Sequence, residues 1–388
     1  MQIKKLPEDF LVEEQVHLPG QHGPYAYYRV EKRNLSTLSV RDEMAARLKV
    51  TPSYLAFPSL KDKSAIAVQY TSVRKRAAET LEGRGFTAQR IGWGSRALRP
   101  GDLQGNRYTL MIRDLDAQQA AAIGPMLQSL GEIGLPNYFD DQRFGSFSTE
   151  GFIGKAILMR DAERAVWLYL AGPMAGDTRD IRAFKRLVRT HWGQWGFLLH
   201  QAPQPSNFRS VLTFLKDQPQ NHRKALNLIH DRLLSIYLVA FQSWIWNRIL
   251  GHYLRRLGYT QPEIMITGLD FPLPESLPDD VAQMRLSMPN LTVRYPDALL
   301  PSVEAVLSAE EMTLEDFKAR ILRRVYLPKG ERPVWYQPQE CAAGEPLPDV
   351  TTPGQWAVPV SFSLAPGQYA TLLIKAIAAR LGVHVRVR

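Results

Sequence analysis

The chain has 388 residues, 45% of them hydrophobic, which is enough for two or three globular domains with a substantial core. Its 48 Lys and Arg against 38 Asp and Glu give a formal net charge of +10, which suits a polyanionic partner as well as an ordinary basic protein. The single cysteine, Cys341, excludes an intrachain disulfide and a multi-thiolate metal site, and favours a cytoplasmic location. No stretch approaches the roughly 20 apolar residues of a membrane-spanning helix, so we expect no membrane partner.

The first third of the chain combines strand and helix patterns. Residues from Phe10 to about Lys32 alternate in the manner of a strand pair. Ser36 is an N-cap candidate for a helix whose apolar positions, Val40, Met44 and Leu48, recur every four residues. Two short segments, 65–70 and 108–113, have the β-branched composition of strands. A mixed sheet with helices between its strands is therefore expected.

Beyond Gly145 the apolar residues recur at helical spacing, in segments 154–170, 179–188 and 224–257. Two Pro-rich stretches, 261–289 and 329–359, are typical of irregular connections. A strand at 357–363 and a helix at 369–381 close the chain. The sequence thus predicts a separate, mostly helical region followed by a return to the first domain.

Familiar metal and phosphate motifs are missing from the sequence. It has no Walker-type glycine loop and no His-Glu-x-x-His, and none of the eight histidines are paired at metal-ligand spacing, so no metal is expected. Adjacent acids keep a metal-dependent nuclease open as an alternative, because divalent ions need carboxylates. Neighbouring residues of a strand face opposite sides, which weakens that alternative. The acids are Glu8-Asp9, Glu13-Glu14 and Asp140-Asp141.

Three segments place charged, amide and aromatic residues where strands are predicted to end, and such loops carry function on a rigid scaffold. They are Pro7–Phe10, Leu60–Lys63 and Pro136–Gly145. Each one alone is also explained as a turn, a solvated charged loop or an aromatic anchor. Their combination favours a functional interpretation.

Six motifs along the chain share an order and spacing with one known family. They are Lys4 with Pro7-Glu-Asp-Phe10-x-Val-x-Glu14, Lys61-Asp-Lys-x-Ala65 followed by Gln69, Gly105-Asn-x-Tyr-Thr-Leu110, Pro136-Asn-Tyr-Phe-x-x-Gln-Arg-Phe-Gly145, Phe241-Gln-Ser-x-x-x-Asn247 and Ala365-Pro-Gly-Gln-Tyr-Ala-Thr371. The fourth is the most specific, since its constrained positions rarely recur together by chance. Together they resemble the TruD family of tRNA pseudouridine synthases.

The chain departs from the family pattern near the second motif. Ser59 stands where the family commonly has Gly, and Ala67 where it often has Thr. Glycine permits backbone angles that Ser reaches only with strain, so the loop around Asp62 is expected to differ in shape. At the C-terminal motif Tyr369 replaces a common Phe, which keeps a stacking face and adds a hydroxyl.

The resemblance implies an α+β protein with a pseudouridine-synthase-like catalytic core built on a mixed or antiparallel sheet. We expect that core in residues 1–147 and 340–388, and a largely helical TRUD-type insertion, Pro-rich in its second half, in residues 148–339. The implied activity is that of an isomerase that converts uridine to pseudouridine in tRNA, at position 13 of the D arm, without a cofactor. A basic RNA-binding protein without catalysis stays open as an alternative, because it would carry the same charge.

Pseudouridine formation needs a carboxylate near the anomeric carbon and a pocket that retains the free uracil. Asp62 is the candidate carboxylate, as nucleophile or as base. In an extended backbone Lys61 and Lys63 point away from Asp62, so the cation that keeps it ionised is expected elsewhere. The resemblance implies Lys4 for that role, although a lysine near a terminus is also explained as solvated.

A uridine inside a folded RNA must be swung out, at a cost of roughly a few kcal/mol that stacking aromatics offset. The resemblance implies Phe10, Phe139 and Tyr369 for stacking, and Asn137 as an amide that bridges Asp62 and the nucleotide. Core packing of the three rings, and turn capping by Asn137, are the alternatives.

A further candidate for contact with the RNA backbone lies in the predicted helix at 179–188. Its spacing of i, i+3, i+4 and i+7 places four cations, Arg182, Lys185, Arg186 and Arg189, on one helical face. A solvated helix face explains them equally well. The resemblance implies tRNA as the partner, and we take the protein to be a monomer.

Overall fold

The computed structural model describes residues 1–20, 22–61, 65–74, 77–204 and 206–387. Asp62 and Lys63 of the predicted catalytic motif lie outside these ranges. The described chain forms two compact units, one made of Met1–Leu135 and Tyr336–Arg388 and the other of Pro136–Trp335. Within the described ranges, no helix has the length and apolar character needed to cross a membrane.

The part of the first unit up to Leu135 is built mainly from strands. In chain order its elements are β1 (Gln2–Ile3), β2 (Phe10–Val16), β3 (Tyr25–Arg33), α1 (Thr37–Leu48), β4 (Leu55–Ala56), β5 (Ile66–Arg74), β6 (Thr80–Gly83), β7 (Phe86–Gly94), β8 (Leu103–Leu115) and α2 (Ala117–Ile133). Helix α1 begins where the N-cap pattern predicts, because Ser36 Oγ accepts a hydrogen bond of 3.0 Å from Ser39 N.

The second unit is mostly helical. After β9 (Leu135–Pro136), where the chain leaves the first unit, its elements are α3 (Ile153–Leu158), α4 (Ala162–Ala171), α5 (Arg179–Thr190), α6 (Trp195–Gln201), α7 (Phe208–Asp217), α8 (His222–Leu226), α9 (Asp231–Arg256), β10 (Glu263–Ile266), β11 (Leu269–Pro272), α10 (Asp279–Ala282), β12 (Arg285–Ser287), α11 (Leu300–Ala309) and β13 (Glu331–Pro333). Strands β10 and β11 pair antiparallel, as do β12 and β13. The chain returns to the first unit at β14 (Trp335–Tyr336).

Two of the predicted long helices are interrupted. Segment 154–170 is divided into α3 and α4, because Arg160 between them has a left-handed φ of 63° that a helix cannot continue. Segment 224–257 is divided into α8 and α9, because His230 leaves the helical conformation and its ring accepts a hydrogen bond from Arg232 N as the cap of α9. The predicted helix at 179–188 is confirmed as α5.

The chain then completes the first unit with β15 (Gln339–Ala343), β16 (Leu347–Pro348), β17 (Trp356–Leu364), α12 (Ala370–Arg380) and β18 (Arg386–Val387). The main sheet has the strand order β15-β17-β8-β2-β5-β3-β7-β6. Strand β2 is parallel to β5, whereas β8 is antiparallel to both β2 and β17, so the sheet is mixed. The predicted α+β class is confirmed.

One pairing differs from the sequence prediction. Strands β2 and β3 form where alternation predicts them, but they are not a pair, because β5 lies between them and bonds to both. Alternation identifies the buried face of a strand and carries no information about its neighbour.

Helix α1 covers one face of this sheet. Apolar residues from β3 and β5, among them Ala26, Tyr28, Val30 and Val73, pack with Val40 and Met44 of the helix in one buried cluster. The same arrangement fixes Thr37, the first residue of α1, and Gln69 of β5, which are both at most 2% exposed. Their contacts with the segment before Asp62 begin the candidate site.

Candidate active site

Asp62 itself lies outside the described residues, but Lys61 before it and Ala65 further along the chain are described. On one side Lys61 N donates a hydrogen bond of 3.0 Å to Thr37 Oγ1. On the other side Ala65 is fully buried, and its carbonyl accepts a hydrogen bond from Asn34 N at 3.3 Å. The chain therefore enters and leaves the Asp62 position through two anchored residues.

A buried carboxylate holds the side chains on the entry side. Glu14 of β2 is 2% exposed, and its Oε1 lies 2.5 Å from Ser59 Oγ and 3.3 Å from Lys61 Nζ. Its Oε2 accepts a hydrogen bond of 2.9 Å from Tyr70 N of β5. Lys61 Nζ also donates to Asn106 Oδ1 of β8. One carboxylate thus ties the segment before Asp62 to two strands of the sheet.

The main chain of the same segment is held separately. Gln69 Nε2 donates to Ser59 O at 3.1 Å, and Gln69 Oε1 accepts from Thr37 Oγ1 at 2.8 Å. We call these six residues the Glu14 cluster: Glu14, Thr37, Ser59, Lys61, Gln69 and Asn106. Glu14, Lys61, Gln69 and Asn106 come from the first three motifs of the sequence, which gave no reason to expect that they meet.

Ser59 was expected to strain the loop, because the family commonly has Gly there. It is absent from the described non-glycine residues with a positive φ. Its hydroxyl is instead a donor to Glu14. The departure from the family pattern therefore adds a hydrogen bond to the Glu14 cluster.

Two of the predicted site residues of the first unit lie together. Lys4 Nζ sits 4.0 Å above the centroid of the Phe10 ring, a distance at which the cation and the ring attract each other. The ring is 6% exposed and meets Tyr108 edge-on, with centroids 5.9 Å apart. Tyr369, the third predicted residue of this unit, is the half-buried N-cap residue of α12.

In the second unit the predicted residues Asn137 and Phe139 share one partner, Arg332. The guanidinium of Arg332 donates to Asn137 O at 2.7 Å and to Asn137 Oδ1 at 2.5 Å, and lies 4.2 Å from the Phe139 ring centroid. Asn137 Nδ2 donates to Pro333 O at 3.0 Å. The amide of Asn137 is therefore engaged within its own unit. Arg332 was missed by the sequence reasoning, because it lies in a Pro-rich stretch interpreted as an irregular connection.

Only some of the four cations predicted on one exposed face of α5 lie on that face. Lys185 is 4% exposed, and its ammonium contacts both carboxylate oxygens of Asp177, at 3.0 and 2.9 Å, and Gly172 O at 2.8 Å. The prediction is therefore wrong for Lys185, because that residue faces the interior beside Phe184 and Val188. Arg182 and Arg186 are exposed, whereas Arg189 pairs with Glu150.

The acids of the nuclease alternative have other partners. Glu8 pairs with Arg33, and Glu13 lies 3.6 Å from the Arg29 guanidinium. Asp141 accepts a hydrogen bond of 2.7 Å from Thr267 N. Across the described ranges, no three His, Cys, Asp or Glu side chains come together as a metal site would require.

Asp9, the remaining acid of the first pair, belongs to a buried network around Arg113. The guanidinium donates to Asp9 Oδ1 at 2.7 Å and to Asp349 Oδ1 at 2.9 Å. Burial by itself would raise the pKa of Asp349, but hydrogen bonds from Thr351, from Asp114 N and from Arg113 lower it to about 2. This network anchors the short turn that precedes Phe10.

The comparisons with known proteins agree with the motifs. The sequence profile of the family "tRNA pseudouridine synthase D (TruD)" matches residues 1–264. A Methanocaldococcus jannaschii protein named "Probable tRNA pseudouridine synthase D 2" is 29% identical over 402 residues, which cover 100% of this chain and 93% of that protein. A tRNA pseudouridine synthase D from Geobacter sp. is 33% identical over 263 residues, 65% of this chain and 64% of that protein.

A solved structure shows the same fold. The crystal structure of a Methanosarcina mazei protein named "Putative tRNA pseudouridine synthase D (TruD)" superposes with a TM-score of 0.74 and 20% sequence identity, over 99% of this chain and 94% of that one. The profile match spans well over half of the chain and includes the segments that flank Asp62. The chain therefore belongs to the TruD family of tRNA pseudouridine synthases.

Proposed function

We propose that this enzyme converts uridine to pseudouridine at position 13 in the D arm of tRNA, and that Asp62 is its catalytic carboxylate. The anchoring of the segment before Asp62 carries this proposal, because Lys61 is held through both its main chain and its ammonium group. Precise placement of a catalytic group requires a fixed support beside it, and Lys61 directly precedes Asp62 in the sequence. We further propose that the protein acts in the cytoplasm, as a monomer and without a cofactor.

The reaction replaces one carbon–nitrogen bond by a carbon–carbon bond within a single nucleotide. The bond between C1′ of ribose and N1 of uracil breaks, the base turns, and its C5 bonds to C1′. The C5 proton is then lost and N1 carries a proton, so the reaction has no net oxidation. Asp62 assists the first step in one of two ways. It attacks C1′ and forms an ester bond that breaks when C5 bonds to C1′, or it removes the C2′ proton, which returns to C2′ when that bond forms.

We propose Phe10, Phe139 and Tyr369 as stacking residues for the target nucleotide. The Lys4 ammonium above Phe10 would place a cation beside a stacked base. Stacking on an aromatic ring contributes roughly 1–3 kcal/mol per base, which is comparable with the cost of unstacking a uridine. In the second unit Arg332 fixes Asn137, which we propose as a residue that orients the nucleotide.

Contacts with the RNA backbone are proposed for Arg182 and Arg186. Both are exposed on α5 and lie four residues apart, on the same side of the helix. Lys185 takes no part, because its ammonium is already neutralised by Asp177. A phosphate contact is electrostatic and depends on salt, which makes the role of each arginine measurable.

The proposal is tested by mapping pseudouridine in tRNA after incubation with purified enzyme. Wild-type protein should modify position 13, and Asp62→Asn should not, since the amide neither attacks C1′ nor accepts a proton. The matched control is Asp42→Asn, which replaces an exposed acid of α1 that pairs with Arg41. Pseudouridine formation by Asp62→Asn at the wild-type rate would refute the role of Asp62, and modification at another position alone would refute the substrate.

A further inference from the structure

We propose that the Glu14 cluster positions the catalytic segment, so that Glu14 and Lys61 are positioning residues for the reaction. This inference rests on the proposed role of Asp62, which directly follows Lys61. It assigns a function to buried polar residues that do not themselves touch the substrate.

The hydrogen bonds of the cluster converge on two residues of the segment. The side chains of Ser59 and Lys61 both reach one oxygen of Glu14, at 2.5 and 3.3 Å. The main chain of each is bound as well, Ser59 O by Gln69 Nε2 and Lys61 N by Thr37 Oγ1. Four contacts therefore restrain the two residues on either side of Leu60.

Leu60, the residue between these two anchors, points the other way. It is 53% exposed, although an apolar side chain of this size usually lies in a core. The residues on either side of it, Ser59 and Lys61, are both bound to Glu14 of β2. The segment thus has two bound residues with an exposed apolar side chain between them.

The second oxygen of Glu14 connects the segment to the sheet itself. Glu14 Oε2 accepts from Tyr70 N, and Tyr70 lies in β5, the strand that follows Asp62. Glu14 therefore contacts the chain both before and after Asp62.

Charge and burial point to positioning more than to stability. The Glu14 side chain is 0% exposed and that of Lys61 is 10% exposed. A buried ion pair gains little net stability, because removing both charges from water opposes their attraction. The ion pair still restrains the geometry of the segment. Such a restraint matters for catalysis, because a shift of about 1 Å in a catalytic group lowers a rate about 100-fold.

The test compares variants by single-turnover pseudouridine formation and by tRNA affinity. The double variant Glu14→Gln, Lys61→Met removes both buried charges together, so that neither remains unpaired. It also weakens the restraint that Glu14 places on the segment 59–61. We expect the rate of the chemical step to fall 10-fold to 100-fold, with tRNA affinity within twofold of wild type. Lys61→Arg, which keeps the charge, should recover part of the rate. A double variant with a wild-type rate would overturn the inference.

Ser59→Ala gives a milder second measurement, because it removes one hydroxyl and no charge. We expect a rate threefold to tenfold below wild type, and an unchanged rate would count against the inference. Asp102→Asn is the matched control: Asp102 is a buried acid of the same unit that pairs with Arg96 at 2.6 Å. Its rate should stay within twofold of wild type, even if its melting temperature falls.

The two proposals fail separately. If Asp62→Asn is inactive while the double variant keeps the wild-type rate, Asp62 is catalytic and the Glu14 cluster does not position it. If Asp62→Asn keeps full activity, the catalytic role of Asp62 is refuted, whatever the rate of the double variant.

Discussion

The side-chain amide of Asn247 holds the main chain of Phe139 in both directions. Asn247 Oδ1 accepts a hydrogen bond of 2.8 Å from Phe139 N, and Asn247 Nδ2 donates one of 2.8 Å to Phe139 O. Both residues lie in the second unit, and Asn247 is fully buried in α9. The motif that contains Phe241 and Asn247 therefore packs directly against the motif that contains Phe139, and fixes its main chain.

Replacing Asn247 by Leu should destabilise the second unit. The substitution leaves the N–H and C=O of Phe139 without their partner, and each such buried group costs about 1–3 kcal/mol. We expect the free energy of unfolding to fall by about 2–4 kcal/mol in denaturant titrations. Asn247→Asp keeps the acceptor for Phe139 N but buries a carboxyl group against Phe139 O in place of the donor, so it should also lower stability. Equal stability of Asn247→Leu and wild type would contradict this role.

The salt dependence of tRNA binding should separate the cations of α5. The affinity falls with salt by a slope of about 0.7–0.9 per neutralised phosphate on logarithmic axes. We expect the double variant Arg182→Ala, Arg186→Ala to reduce that slope by about 1.5. Lys185→Met should leave the slope unchanged and lower stability, because it removes the partner of Asp177. An unchanged slope in the double variant would remove both arginines from the interface.

Asp349 should make stability depend on pH at the acidic end. Its pKa in the folded protein is about 2, below the ordinary value of 3.8, so the folded state favours the carboxylate. This stabilisation is present above about pH 4 and is lost as the pH falls toward 2. The shift corresponds to about 2 kcal/mol.

Asp349→Asn should therefore be less stable than wild type by about 2 kcal/mol at pH 7, with a difference that shrinks between pH 4 and pH 2. Equilibrium unfolding across that range measures the effect. Asp42→Asn, at an exposed acid, controls for the loss of one negative charge. If the difference in unfolding free energy between Asp349→Asn and wild type stays constant from pH 7 to pH 2, the ionised carboxylate of Asp349 does not provide the stabilisation.

A glycine in α3 should be sensitive to the addition of one methyl group. A Cβ at Gly154 would overlap Tyr237 O of α9, so Gly154→Ala must push the two helices apart. We expect a loss of about 1–3 kcal/mol in the free energy of unfolding. Gly196→Ala in α6 is the control, since its Cβ would meet no atom within 4 Å. It should be neutral or slightly stabilising, because Ala favours a helix.

Local patterns predicted the elements of the first unit well. Helix α1 was located by its cap at Ser36, β3 by alternation and β5 by its β-branched composition. The break at Arg160 was not predictable, because a left-handed residue there depends on the packing of α3 and α4 and not on propensity. The order of β2, β5 and β3 in the sheet was not predictable either, because it also depends on packing between distant segments.

The candidate site was predicted only in part. Motifs located Phe10 and Lys4 in the sequence, and the structure shows their contact. The convergence of Glu14 and Lys61 was not foreseen, since it depends on a parallel pairing between strands far apart in the chain. Lys185 was assigned to an exposed face from its spacing relative to three arginines of the helix. Placing Phe184 and Val188 inside first would have turned Lys185 inward as well.

The pairing of β17 with β8 has a consequence for how the protein folds. Residues Asn106–Leu115 bond to Trp356–Leu364, and the whole second unit is synthesised between them. Until β17 emerges, β8 has an open edge whose N–H and C=O groups can pair with another chain. Contacts between such distant segments form slowly, so this edge is where aggregation during synthesis should begin. Efficient folding therefore favours rapid completion of the second unit.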